Sequence, residues 1–175
     1  MMMNGNLLIV GAGSYAVVAA EIAADMGCFE KIAFVDDEIK TLQNGVSVVG
    51  TTGDIDRLAG EYSYIIVAIG NPEVRLSLLD KIQKETPYQI PSLISPRAYV
   101  SSSAKIMKGC IIEPMAVVHT ACVLEEGCIV SAGAVVNHDS TCCRGVHVDC
   151  NGAVAGYSCV PAGTKICSGE VYKDV

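Results

Sequence analysis

From Ile94 to Ile166 every sixth residue is aliphatic except Cys142. Residues 94–171 hold 19 Ile, Leu or Val, and 12 of them fall in this one phase; an even spread would put about three there. A period of six fits neither a 3.6-residue helix nor a two-residue strand alternation. Two residues before each aliphatic one stand Ala98, Ala104, Cys110, Ala116, Cys122, Cys128, Ala134, Ser140, Val146, Gly152, Ser158 and Thr164, and eleven of these twelve are small. Positions two apart in a strand face the same way. Each hexad therefore reads as a strand of about four residues with one small and one large side chain inward, then a two-residue turn.

Three such strands make a triangular coil of 18 residues, and residues 94–171 make a little over four coils. This is the signature of a hexapeptide parallel β-helix. The residue just before each inward aliphatic one should face out, yet Ile111, Val117, Val123, Ile129 and Val135 fill that place in five successive hexads. A contiguous set of surface apolars predicts a protein interface, much of which a trimer with prisms side by side would bury.

The first ninety residues follow another rule. Leu7–Val10 reads as a strand, Gly11-Ala12-Gly13-Ser14-Tyr15-Ala16 as a glycine-rich turn, and Val17 to Met26 as a helix. Glycines there let the backbone turn and approach a phosphate at the helix N-terminus. Ile32–Val35 is a second strand ending at Asp36-Asp37, and Tyr64–Ile69 a third ending at Gly70-Asn71. Pro72 starts a helix that runs to Lys84, so the sheet is mostly parallel. Ligands of such sheets sit at the carboxyl ends of the strands, which makes Gly11, Gly13, Ser14, Asp36, Asp37, Gly70 and Asn71 the candidate substrate-binding residues. About ninety residues hold only half of a dinucleotide fold, so a mononucleotide or nucleotide-sugar suits the size better than NAD. The expected division is 1–90 for an α/β, Rossmann-like nucleotide-sugar domain and 91–175 for the β-helix.

A net charge of −7 argues against a nucleic-acid partner. No stretch has the length of a transmembrane helix, and Met1 to Asn6 lacks the basic region of a signal peptide. Of nine cysteines, Cys110, Cys122, Cys128 and Cys142 take inward solenoid positions that want a small apolar side chain. Cys142, Cys143, His147 and Cys150 lack paired CxxC spacing, so no metal site is expected. The expectation is a reduced, cytoplasmic protein.

With both halves in place the chain resembles the bacterial sugar acyltransferases of the sialic-acid O-acetyltransferase and UDP-4-amino-sugar N-acetyltransferase type. The resemblance rests on the turn at Gly11 to Ala16, on Phe34-Val35-Asp36-Asp37, on Val67-Ala68-Ile69-Gly70-Asn71 with Arg75, and on Val136-Asn137-His138-Asp139 followed by His147. It implies a left-handed β-helix, a homotrimer, acetyl-CoA as co-substrate and a UDP-sugar or related sugar acceptor. It implies His138 as the base that deprotonates the acceptor's amine or hydroxyl, and Asp139 as the group that orients the imidazole. Gly156, one coil on from His138, would offer its N–H to the oxyanion, and His147 would help bind the thioester end of the cofactor. His119 has no matching partner and reads as structural or interfacial. The spacings of His119, His138 and His147 do not fit a three-histidine zinc site.

Departures from the family concern Ser14-Tyr15, where relatives carry Gly-His, Ala16, where they carry a further glycine, and Ser131, where many carry Asn. Relatives continue for about another coil and end in a Pro-Ala-Lys segment that clasps CoA, whereas this sequence stops at Val175. Two functions are therefore expected: an acetyl-CoA-dependent sugar acetyltransferase of surface-glycan biosynthesis, or a catalytically impaired nucleotide-sugar-binding trimer with a structural or regulatory role.

Overall fold

In the computed structural model, which describes residues 5–41 and 48–174, the chain divides into the units Met1–Pro91 and Ser92–Val175. The first holds four parallel strands: β1 (Leu7–Val10), β2 (Ile32–Val35), β3 (Val48–Gly50) and β4 (Tyr64–Val67), in the order β3-β2-β1-β4. All four residues of β1 are buried, as a central parallel strand covered on both faces requires. Helix α1 (Ser14–Met26) turns Ala16, Ala19, Ile22 and Ala23 inward and packs on β1 and β2. A short α2 (Ile55–Leu58) follows β3, and α3 (Pro72–Glu85) packs on β4.

The helix α1 begins three residues earlier than the sequence suggested, and β4 ends two residues earlier. Strand β3 had no forecast: three residues at the sheet edge carry too little periodicity to announce themselves. Residues 1–4 of the Met1–Asn6 segment, and Val175, lie outside the described residues.

In the second unit the hexads become strands on three faces. One face stacks β5 (Leu93–Ile94), β8 (Ile111–Ile112), β11 (Ile129–Val130), β14 (His147–Val148) and β17 (Lys165–Ile166). The next stacks β6 (Tyr99–Val100), β9 (Val117–Val118), β12 (Val135–Val136), β15 (Ala153–Val154) and β18 (Val171–Tyr172). The third stacks β7 (Lys105–Ile106), β10 (Val123–Leu124), β13 (Thr141–Cys142) and β16 (Cys159–Val160). Every pairing is parallel and joins residues 18 apart, as Ile129 with Ile111. The strands are two residues long, not four, because the chain must round a corner in every hexad.

The interior is the expected ladder. Ile112, Val118, Leu124, Val130, Val136, Cys142, Val148, Val154 and Val160 alternate with Cys110, Ala116, Cys122, Cys128, Ala134 and Val146 in one buried cluster. Each inward Val or Leu contributes roughly 1.5–3 kcal/mol. All nine cysteines are free thiols, and burial pushes the Cys142 thiol well above its ordinary range.

The five outward apolars do not form one patch. Successive hexads fall on successive faces, so Ile111 and Ile129 share one face, Val117 and Val135 another, and Val123 the third. Ile111 and Ile129 are fully buried within the chain and offer nothing to a partner. The stripe that does run along one face is Tyr99, Val117, Val135, Ala153 and Val171, in register from coil to coil. Its ends are open: Tyr99 is 59% and Val171 69% exposed.

Candidate active site

The corners of the prism are two-residue turns, and from Gly109 onward the second residue of each takes a left-handed backbone. Between β7 and β8, and at each repeat of that corner, this residue is glycine: Gly109, Gly127, Gly145 and Gly163. The corner between β12 and β13 breaks the pattern, with Ala121, Asp139 and Tyr157 at positive φ in three successive coils. Left-handed backbone costs a non-glycine residue about 1–2 kcal/mol. The third corner mixes the two, with Met115 and Asn151 alternating with Gly133 and Gly169, so the corner of Ala121, Asp139 and Tyr157 is the one where glycine never relieves the strain.

His138 and Asp139 form the middle turn. The His138 N–H is held by Asn137 Oδ1 at 2.9 Å, and the Asp139 N–H by the Thr120 carbonyl one coil back at 3.0 Å. Ser140, buried beneath, donates its hydroxyl to the Ala155 carbonyl at 2.8 Å. Onto this rigid turn Asp139 places Oδ2 2.9 Å from His138 Nδ1. The carboxylate accepts the Nδ1 proton, which leaves the lone pair on Nε2. Both side chains are about half exposed, so substrate can reach them.

One coil further lies Gly156. A Cβ there would meet His138 Cε1 at 3.1 Å and Nε2 at 3.2 Å, so glycine is what lets the imidazole lie across the next rung. Among the described residues nothing accepts the Gly156 N–H. The next amide, of Tyr157, donates to the His138 carbonyl at 3.2 Å. The Tyr157 ring then stands edge-to-face with the imidazole, centroids 5.1 Å apart and planes at 86°. A nitrogen lone pair, an orienting carboxylate and an uncommitted amide thus converge on one solvent-facing corner, the set that acyl transfer needs.

His147 is not at this corner. It stands on β14, on the face opposite, 7% exposed and with Nε2 3.1 Å from Ser131 Oγ. His119, one coil before Asn137, makes an edge contact with Tyr99. Among the described residues no group of three or more His, Cys, Asp or Glu is arranged to hold a metal.

In the first unit a cavity of about 830 Å³ opens at the carboxyl ends of β1, β2 and β4. Of the seven expected substrate-binding residues it brings together Gly11, Gly13, Ser14, Asp36, Asp37 and Gly70. Asn71 is instead the N-cap of α3, accepting the Val74 N–H at 3.1 Å. Gly11, at φ +109, lies 3.0 Å from the Ala68 carbonyl through its missing Cβ, so packing alone demands it. Gly13 differs: its φ is ordinary and a Cβ there would touch nothing. It leaves α1 with no side-chain cap, and the Gly13 and Ser14 N–H groups have no acceptor among the described residues. A bare helix N-terminus lining a cavity is an anion-binding feature.

The two aspartates serve the chain itself. Asp36 Oδ2 accepts the Ala12 N–H at 2.9 Å, clasping the glycine turn, while Oδ1 takes the Glu38 and Ile39 N–H groups. Partial burial pushes the Asp36 carboxyl up, but the Ile39, Glu38 and Ala12 amides outweigh it and hold it below its ordinary range. Asp37 pins Thr52 through both its amide and its hydroxyl. Arg75, fully buried, donates Nη1 to the Ile69 and Gly70 carbonyls and fixes the turn after β4. Sequence reasoning missed Tyr15, Thr52, Glu73 and Ser77, which also line the cavity. It also missed Tyr157 beside His138: a tyrosine at a turn position shows in the sequence, but its contact with the imidazole does not.

Comparison with known proteins bears on the family and the fold. Residues 6–82 match the family described as the PglD N-terminal domain. The acetyltransferase domain of PglB from Neisseria gonorrhoeae FA1090, solved in complex with acetyl coenzyme A, is 34% identical with a TM-score of 0.91, over 96% of this chain and 82% of that one. A second structure of that domain is 28% identical with a TM-score of 0.76, over 96% and 91% of the two chains. PerB from Caulobacter crescentus, in complex with CoA and GDP-perosamine, is 22% identical with a TM-score of 0.75, over 97% and 89%, a likeness of fold alone. No curated protein matches at the same stringency. The chain belongs to the bacterial sugar acetyltransferases of the hexapeptide-repeat family, which join a Rossmann-like domain to a left-handed parallel β-helix.

Proposed function

We propose that the protein transfers the acetyl group of acetyl-CoA to an amine or hydroxyl of a nucleotide-linked sugar used in surface-glycan biosynthesis, with His138 as the base. The observation that carries this reading is the imidazole lying across Gly156, its Nδ1 tied to Asp139 and the neighbouring amide uncommitted. The related PglB domain binds acetyl coenzyme A.

The acceptor's lone pair attacks the thioester carbonyl carbon while His138 Nε2 takes the acceptor's proton. Charge develops on the carbonyl oxygen, and the Gly156 N–H is the donor placed to receive it. The C–S bond then breaks, and the imidazolium returns its proton to the departing thiolate. Asp139 holds the ring in one tautomer and stabilises its cation throughout.

The cavity of the first unit is assigned to the nucleotide-sugar, with a phosphate at the open N-terminus of α1 and the Gly13 and Ser14 amides facing it. His147 stands on the opposite face, 7% exposed and paired with Ser131, so within one prism it makes no contact with a thioester at His138. The stripe of Tyr99, Val117, Val135, Ala153 and Val171 supplies the interface of a homotrimer. Nine free thiols support a cytoplasmic location; among the described residues no helix is long and apolar enough to cross a membrane.

The test is release of the CoA thiol from acetyl-CoA in the presence of UDP- and GDP-linked amino sugars and of sialic acids. Turnover with at least one nucleotide-linked sugar is expected. Binding of such a sugar with no thiol release from any of them would overturn the reading.

A further inference from the structure

Tyr157 is held where a tyrosine is hard to hold. Its φ is +62, in the left-handed region, at a turn position that glycine fills in every coil of another corner. The residue is 76% exposed, so burial does not offset the backbone strain. The contact that the ring makes is with His138, edge-to-face at 5.1 Å. Its amide meanwhile donates to the His138 carbonyl, tying the two turns together.

The imidazole is thereby bounded on three sides. Asp139 holds Nδ1, the Gly156 backbone lies against Cε1 and Nε2, and the Tyr157 ring closes a third direction. A half-exposed histidine held by one carboxylate alone keeps freedom to swing about its side-chain torsions. With the phenol ring in place that swing meets an aromatic wall, and Nε2 stays beside the Gly156 rung.

We propose that Tyr157 is a positioning residue: it keeps the His138 imidazole in its reactive orientation, and the chain tolerates a strained backbone at 157 for that purpose. This rests on the assignment of His138 as the base. The contact uses the ring and not the hydroxyl, so phenylalanine should serve as well as tyrosine. Glycine should relieve the backbone while removing the wall.

The experiment compares wild type with Y157G, Y157F and H138A in the full-length protein. Y157G is expected to melt at or above the wild-type temperature, yet to lose about tenfold in kcat with the KM values for acetyl-CoA and acceptor unchanged. Y157F is expected to restore kcat. In protein labelled at histidine, the carbon-bound ring protons of His138 should carry a ring-current shift that persists in Y157F and vanishes in Y157G. A Y157G enzyme with wild-type kcat, or one whose kcat and melting temperature fall together, overturns the proposal. So does a KM change with kcat intact, which would make Tyr157 a substrate contact. If H138A keeps its turnover, the base assignment falls and the positioning role falls with it. If H138A is inactive but Y157G is not, Tyr157 alone is misassigned.

Discussion

His138, proposed as the base, is set apart by neighbours that are individually ordinary. A turn histidine is usually just solvated; this one has a carboxylate on Nδ1 and a glycine under Nε2. The glycine is the more telling partner, since its φ is not in the left-handed region and only the approach of the imidazole requires it. In Gly156→Ala the new Cβ must displace the ring by a few tenths of an ångström. Displacements of that order cost activity more than stability, so kcat should fall about tenfold, with acceptor KM and melting temperature nearly unchanged, as read by steady-state kinetics and thermal denaturation. The pairing of His138 with Asp139 was legible from adjacency, and Gly156 from the 18-residue coil. Tyr157 was not, because a turn position tells which way the backbone goes but not which ring leans on which.

At the scale of elements, helix α1 begins on Gly13 with no cap although its own backbone would accept a side chain. Gly13→Ser gives the helix the cap it lacks and should raise stability by a few tenths of a kcal/mol. The same substitution fills the mouth of the cavity and should weaken nucleotide-sugar binding about tenfold by calorimetry, since its amides are no longer open to phosphate. Asp36 adds a pH dependence. Its carboxyl lies below its ordinary value in the folded chain, so its clasp on Ala12 contributes fully above the unfolded value and is lost as pH falls through the folded one. Nucleotide-sugar affinity should therefore drop below about pH 4, and Asp36→Asn should show the weakened affinity already at neutral pH. The strand–turn–helix alternation that builds this unit was legible because parallel strands are short apolar runs between glycine-rich turns. The roles of Asp36, Asp37 and Asn71 were not, because a polar residue at a strand end serves ligand and backbone with the same atoms.

For the whole molecule, the six-residue period fixes both the prism and the order of its faces. Reading outward apolars along the sequence mixes three faces, and only the modulo-18 register sorts them. Sorted in that way, Val135 sits in mid-stripe between Val117 and Ala153. Val135→Asp places an unpaired charge there and should convert a trimer to monomer in sedimentation velocity, with the fold retained by circular dichroism. A monomeric wild type would remove the interface assigned to that face. The solenoid was legible almost residue by residue, since each hexad repeats one local solution, whereas the oligomer depends on surfaces that no local period describes.

The claim on which everything else leans is that a corner of the prism carries the base. The direct measurement is turnover of His138→Ala beside calorimetric binding of acetyl-CoA to the same protein. The account predicts a fall in kcat of about 10²–10⁴ with acetyl-CoA affinity within about twofold of wild type. Turnover at the wild-type rate, or loss of binding in step with loss of turnover, would contradict it.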